Sequence, residues 1–271
     1  MTQIAALPAD VSEAAKRHLD AAEAALPGLV TGLYITGSAV LGDYQPGRSD
    51  VDFMAFTSRP LTAADIDALA AMHAGFQGSG PCYDGNYVGW QELADLPDNG
   101  RAGPHVIDGE FRDEACDELT PSTWTEFTRY AATVHGPLAS ELGIEISGDR
   151  LSQWQLGNLN GYWSEFGAGA RETWARRDQD ALMPYPQTAC WCALGPARLH
   201  YTLATGDITS KSGAGRYALQ HFGEYADVIS AALDWRATGE GGFTHAAGVR
   251  ITDLMRAVID DANRRWGTAG S

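Results

Sequence analysis

Asp50 and Asp52 stand one residue apart beside and inside the apolar run Val51 to Thr57. Aspartate is a poor strand former, so the pair needs a chemical reason. On a strand, residues two apart share a face, which sets the two about 7 Å apart at Cα. Carboxylates that close repel each other unless a cation lies between them. Mg²⁺ suits the pair. It takes hard oxygen ligands and keeps positions for water and substrate phosphates. On paired carboxylates it aligns a phosphoryl group and neutralises developing charge. Upstream, Gly37 and Ser38 supply the complement. A glycine at a strand end lets backbone N–H groups approach a phosphate. Ser38 adds a hydroxyl donor at an expected helix N-terminus, which favours anions. Ser49, just before the aspartates, offers another hydroxyl. Asp-x-Asp and Gly-Ser are each common alone. The order strand, Gly-Ser, helix-like turn, Gly-rich loop, Ser-Asp-x-Asp on a second strand is far more selective.

The elements that would position these groups follow from local pattern. Asp10-Val11-Ser12-Glu13 reads as a capping box opening a helix that runs to about Leu26 and stops at Pro27-Gly28. Leu29 to Thr36 is rich in β-branched and aromatic residues and reads as a strand, as does Val51 to Thr57. Thr62 should cap a helix to about Phe76, with Asp65 in its first turn. Asp84 to Trp90 reads as a third strand. Pro97 to Glu118 is polar and Gly-rich, with Val106 to Phe111 a short strand. Beyond about Leu151 the pattern turns helical: 151–177, 187–205, 213–222, 225–236 and 246–266, a helical bundle. The expected domains are 1–150 and 151–271.

Composition bounds the function. The chain has 271 residues, 44% hydrophobic and 20% charged, which is ordinary for a globular protein with a real core. Its formal net charge of −16 speaks against a nucleic-acid partner, which needs clustered Lys and Arg, and suits a cationic small substrate. No run of eighteen apolar residues indicates a membrane span. The N-terminal stretch lacks signal-peptide regions, so a cytoplasmic location is expected. Cys82, Cys116, Cys190 and Cys192 show no zinc-ribbon spacing and read as buried reduced thiols.

The run Gly37-Ser38, then Asp50-Val51-Asp52-Phe53, resembles the signature of the nucleotidyltransferase superfamily built on the DNA polymerase β palm. The second half resembles the helical domain of the aminoglycoside adenylyltransferases that modify spectinomycin and streptomycin. That likeness is carried by residues 197–211, AlaArgLeuHisTyrThrLeuAlaThrGlyAspIleThrSerLys, and by HisGlyPro at 135–137. The fold implied is α+β: a palm domain with a mixed sheet and helices, followed by an all-helical bundle.

The resemblance also implies roles. Asp50 and Asp52 would bind Mg²⁺. Gly37, Ser38 and Ser49 would hold the triphosphate of ATP, the co-substrate. Lys211, placed just after a helix end, would reach the phosphates. Arg198 matches a position near the substrate cleft. A third carboxylate on the neighbouring strand would take the acceptor's proton or complete the metal site. Asp84 fits by order, although the enzymes it resembles usually carry Glu there, and Glu92 is the reserve. The implied reaction moves AMP to a hydroxyl of a small aminoglycoside or aminocyclitol, in a monomer. Gln179, Pro184 and Thr188 fall near positions that are aromatic or acidic in streptomycin-modifying members, which favours spectinomycin. The alternatives are a weak or inactive nucleotide-binding regulator, or an enzyme acting on a protein or another small molecule.

Overall fold

The computed structural model describes residues 7–96 and 101–267. Residues 1–6 of the N-terminal stretch, and 97–100 of the expected polar stretch, lie outside them. The chain divides into two compact units, Met1–Ile146 and Ser147–Ser271.

In the first unit α1 (Ala9–Ala25) leads into β1 (Val30–Ile35) and β2 (Val51–Thr57). Then come α2 (Ala63–Ala74), β3 (Tyr83–Gly89), β4 (Arg101–Ile107), β5 (Glu110–Cys116), α3 (Pro121–Tyr130) and β6 (Ala132–His135). Among the described residues six strands form one mixed sheet in the order β5-β4-β3-β2-β1-β6. β2 and β3 run parallel, while β1 pairs antiparallel with β2. A parallel pair requires a crossover, and α2 supplies it. Thr62 caps α2 in a full capping box with Asp65, as its sequence indicates.

Alternation along β2 and β3 divides the residues between two cores. Val51, Phe53, Ala55, Tyr83 and Tyr87 pack with Val11, Ala14 and Leu69 of α1 and α2. Met54, Phe56 and Val88 pack with Trp124 and Phe127 of α3. On the first face the Tyr87 hydroxyl lies 2.8 Å from His18 Nε2 and 2.7 Å from His73 Nε2, all three residues being buried. One hydroxyl carries one proton, so it donates to one imidazole and accepts from the other, which both rings can satisfy while neutral.

The secondary structure of this unit departs from the sequence pattern at three places. The first turn of α1 is capped at Pro8 and forms no capping box. The Asp10 carboxylate instead accepts from Val11 N–H and from the Tyr44 hydroxyl. Val106 to Phe111 is not one strand but the tip of the β4–β5 hairpin. Asp108 and Gly109 both have positive φ there, as a two-residue hairpin turn requires. Finally, α3 and β6 lie where the sequence pattern marks no element.

The second unit holds α4 (Gly148–Asn158), a π-turn at Leu159–Trp163, α5 (Ser164–Ala175), α6 (Pro186–Thr205), α7 (Lys211–His221), α8 (Ala226–Thr238) and α9 (His245–Trp266). The single helix expected over 151–177 is thus interrupted by the π-turn. That turn sets Trp163 against Gly195 of α6, where a Cβ would lie 2.2 Å from the indole. α6 is the central helix, buried from Ala189 through Ala197 apart from half-buried Trp191. Among the described residues no helix is long and apolar enough to cross a membrane. Cys116, Cys190 and Cys192 are buried, but Cys82 is exposed, contrary to the expectation that all four are buried.

Candidate active site

The parallel register of β2 and β3 places Asp52 directly beside Asp84. Both belong to the face that carries Met54, Phe56 and Val88 further along, the face covered by α3. Asp50 stands one residue before β2. Asp84-Gly85 is not a turn here. A Cβ at Gly85 would lie 2.0 Å from the Phe53 carbonyl oxygen, so glycine is what lets β3 close on β2 next to the carboxylates.

Electrostatic repulsion couples the members of this cluster. Burial pushes the Asp84 carboxyl up to about 8, and the charges of Asp52, Glu118, Asp50 and Asp108 add to the effect. The thiol of Cys82 is raised too, first by burial and then by Asp50, Asp108 and Asp84. A carboxyl raised by burial and by like charges marks a place where a bound cation would be strongly favoured. Among the described residues no three His, Cys, Asp or Glu side chains close into a ready-made metal cluster. The donor set still fits Mg²⁺, which is bound through one or two carboxylates, water and substrate phosphates rather than by an all-protein cage.

The Gly-Ser turn packs onto this cluster. β1 ends with Thr36 N–H donating to the Asp52 carbonyl at 3.0 Å. Gly37 has φ +65°, and a Cβ there would lie 1.8 Å from Asp52 Oδ2. The expected helix N-terminus at Ser38 is a three-residue 3₁₀ turn, Gly37–Ala39, too short to carry a helix dipole. The Ser49 hydroxyl accepts the Gln45 N–H at 3.0 Å and closes the loop that returns to β2.

Glu92 does not share the strand face of Asp84. It lies past the end of β3, in the 3₁₀ turn Trp90–Ala94. Its Oε2 accepts Gly89 N–H at 2.6 Å and its Oε1 accepts from Arg101 at 2.5 Å. Glu126 of α3 was missed by sequence reading. Its Oε1 accepts the Gly37 N–H at 2.5 Å. The spacing of Trp124 and Phe127 on one helical stripe was the available signal for α3, and Glu126 lies between them.

Arg198 and Lys211 belong to the second unit. Arg198 is half-buried on α6, and its Nε donates to the Thr209 carbonyl at 3.2 Å, tying α6 to the lead-in of α7. Lys211 is exposed and is the first residue of α7 rather than a residue after a helix end, with Ser210 capping by accepting the Gly213 N–H.

Comparison with known proteins matches residues 15–92 to the nucleotidyltransferase domain. Residues 170–264 match the C-terminal domain of aminoglycoside adenylyltransferase. The chain is a nucleotidyltransferase resembling the aminoglycoside adenylyltransferases. Among solved structures, this nucleotidyltransferase is similar in fold to spectinomycin adenyltransferase AAD(9) from Enterococcus faecialis, crystallised with ATP and spectinomycin. The TM-score is 0.66 at 16% identity, covering 91% of this chain and 98% of that one. No curated protein matches the sequence.

Proposed function

We propose that the enzyme transfers AMP from ATP to a hydroxyl of a small cationic acceptor of the aminoglycoside or aminocyclitol class, with Mg²⁺, releasing pyrophosphate. The observation that carries this reading is the in-register pair Asp52 and Asp84, with Gly37 packed against the Asp52 carboxylate. Asp50, Asp52 and Asp84 are the residues that would hold Mg²⁺, which when bound offsets negative charge on the triphosphate and the leaving group.

The chain's own groups account for the rest. The Gly37–Ser38 turn and the Ser49 loop border the triphosphate, and Lys211 and Arg198 are assigned to the phosphates and the acceptor. Asp84 takes the acceptor's proton. The hydroxyl oxygen forms a bond to the α-phosphorus, the bond to the bridging oxygen breaks, and pyrophosphate leaves with that electron pair. Asp84 accepts a proton only when ionised, a form that a cation held beside it would favour. The acidic balance of the chain favours a cationic acceptor over nucleic acid. We assign spectinomycin ahead of streptomycin, place the reaction in the cytoplasm of a cell that it would protect from the antibiotic, and take the working species as a monomer.

The test is to incubate the protein with Mg²⁺, each NTP in turn and an aminocyclitol and aminoglycoside panel, following pyrophosphate. Release that needs both ATP and one acceptor supports the reading. Nucleotide binding without release across the panel contradicts it.

A further inference from the structure

Pro121 to Tyr130 forms α3 because Thr120 caps it and Trp124 and Phe127 bury on one side. That packing delivers the neighbouring Glu126 to the Gly-Ser turn, where its carboxylate takes the Gly37 N–H at 2.5 Å. The turn is therefore gripped on both sides of Gly37. Thr36 N–H goes to the Asp52 carbonyl, and the Gly37 carbonyl accepts from Val40 and Leu41 at 3.2 and 3.1 Å. A hydrogen bond to an ionised acceptor is stronger than a neutral one, and it spends the Gly37 donor within the protein. A phosphate oxygen aimed at the same N–H would also meet the charge of Glu126.

We propose that Glu126 is a positioning residue for nucleotide binding: it fixes the Gly37 amide so that Ser38, not Gly37, offers the turn's donors to the triphosphate. Gly37 then contributes its shape, the left-handed bend and the missing Cβ that admits the Asp52 carboxylate, and no contact of its own. Glu126 keeps its bond when nucleotide binds. This rests on the reading that the Gly-Ser turn borders the triphosphate.

The test uses the full chain and two variants, Glu126→Ala and Glu126→Gln. Glutamine keeps an oxygen that can accept the same N–H, whereas alanine removes it. Glu126→Ala should raise the KM for ATP roughly tenfold, because a turn no longer fixed by Glu126 must be ordered when nucleotide binds. It should leave the acceptor KM unchanged, and Glu126→Gln should recover most of the loss. In ¹⁵N-labelled wild type the Gly37 amide proton should resonate far downfield, return upfield in Glu126→Ala, and stay in place when Mg²⁺ and ATP move the Ser38 amide.

Three results overturn the proposal. One is an unchanged ATP KM in Glu126→Ala; another is a Glu126→Gln variant as impaired as alanine. The third is a Gly37 amide that leaves Glu126 when ATP is added. If wild type shows neither a nucleotide-induced shift nor turnover, the nucleotide reading itself falls and takes this proposal with it. Normal wild-type binding with indifferent variants removes Glu126 alone.

Discussion

Gly37 lies so close to Asp52 that a Cβ at position 37 would sit 1.8 Å from Oδ2 of that carboxylate. The first half of the superfamily signature is thus held by direct contact against the second, and the spacing between them is the length of the loop that brings β2 back.

Gly37→Ala should therefore combine two costs: a left-handed backbone, about 1–2 kcal/mol for a residue with a Cβ, and displacement of the Asp52 carboxylate. We expect kcat/KM to fall by about a hundredfold or more, as misplacement of a catalytic group by roughly 1 Å does. Gly28→Ala is the control. Gly28 has φ +69°, and a Cβ added there would meet nothing within 4 Å, so this variant should lose some thermal stability and keep full activity.

Asp84 and Glu92 separate on kinetics. Asp84→Asn should lower kcat by roughly 10²–10⁴, the usual contribution of a positioned base. Glu92→Gln should keep activity within about threefold and lose some stability, because Glu92 caps the turn at Gly89 and pairs with Arg101. Steady-state rates and thermal melts of both variants decide it.

Mg²⁺ should stabilise the folded enzyme through the same carboxylates. A cation bound with millimolar affinity and supplied at tenfold excess should raise Tm by roughly 2–4 °C. Asp52→Asn should show little of that rise. An equal Mg²⁺ effect in both proteins would place the ion elsewhere.

The histidine pair behind β3 sets an acid limit. Burial pushes His73 down to about 4, and His18 lies well below its ordinary value through burial and the neighbouring His73. Unfolded histidine titrates near 6.5. Between about pH 6.5 and 4 these two sites bind more protons in the unfolded chain than in the folded one, so their contribution to stability falls as pH drops across that window, offset in part by Asp84, whose raised carboxyl is already protonated in the folded chain. The wild-type Tm should decrease by roughly 5 °C or more from pH 6.5 to 4.5. In His73→Phe the slope should be visibly shallower.

Much of this arrangement was legible in the sequence, for physical reasons that also explain the gaps. β1, β2 and β3 are buried strands, and their β-branched and aromatic runs announce them. Asp50 and Asp52 stand out because carboxylates conflict with such runs. β4 and β5 were hidden because the pattern that marks a strand is burial on one face. β5 is an edge strand with its polar residues exposed, and β4 carries Pro104, which a strand pattern normally excludes. Lys211 falls on the other side of a helix boundary from the one expected, since the Thr205-Gly206 stop is clear in the sequence and the restart capped by Ser210 is not. Glu126 could not be found because its role depends on a contact between residues 89 apart in sequence.

The most direct measurement is the mass of the acceptor after incubation with ATP and Mg²⁺, wild type beside Asp52→Asn. AMP-sized addition by wild type, absent with a folded Asp52→Asn protein, is the predicted result. An unmodified acceptor throughout the panel, or equal modification by both proteins, would contradict the assignment of transfer to this carboxylate cluster.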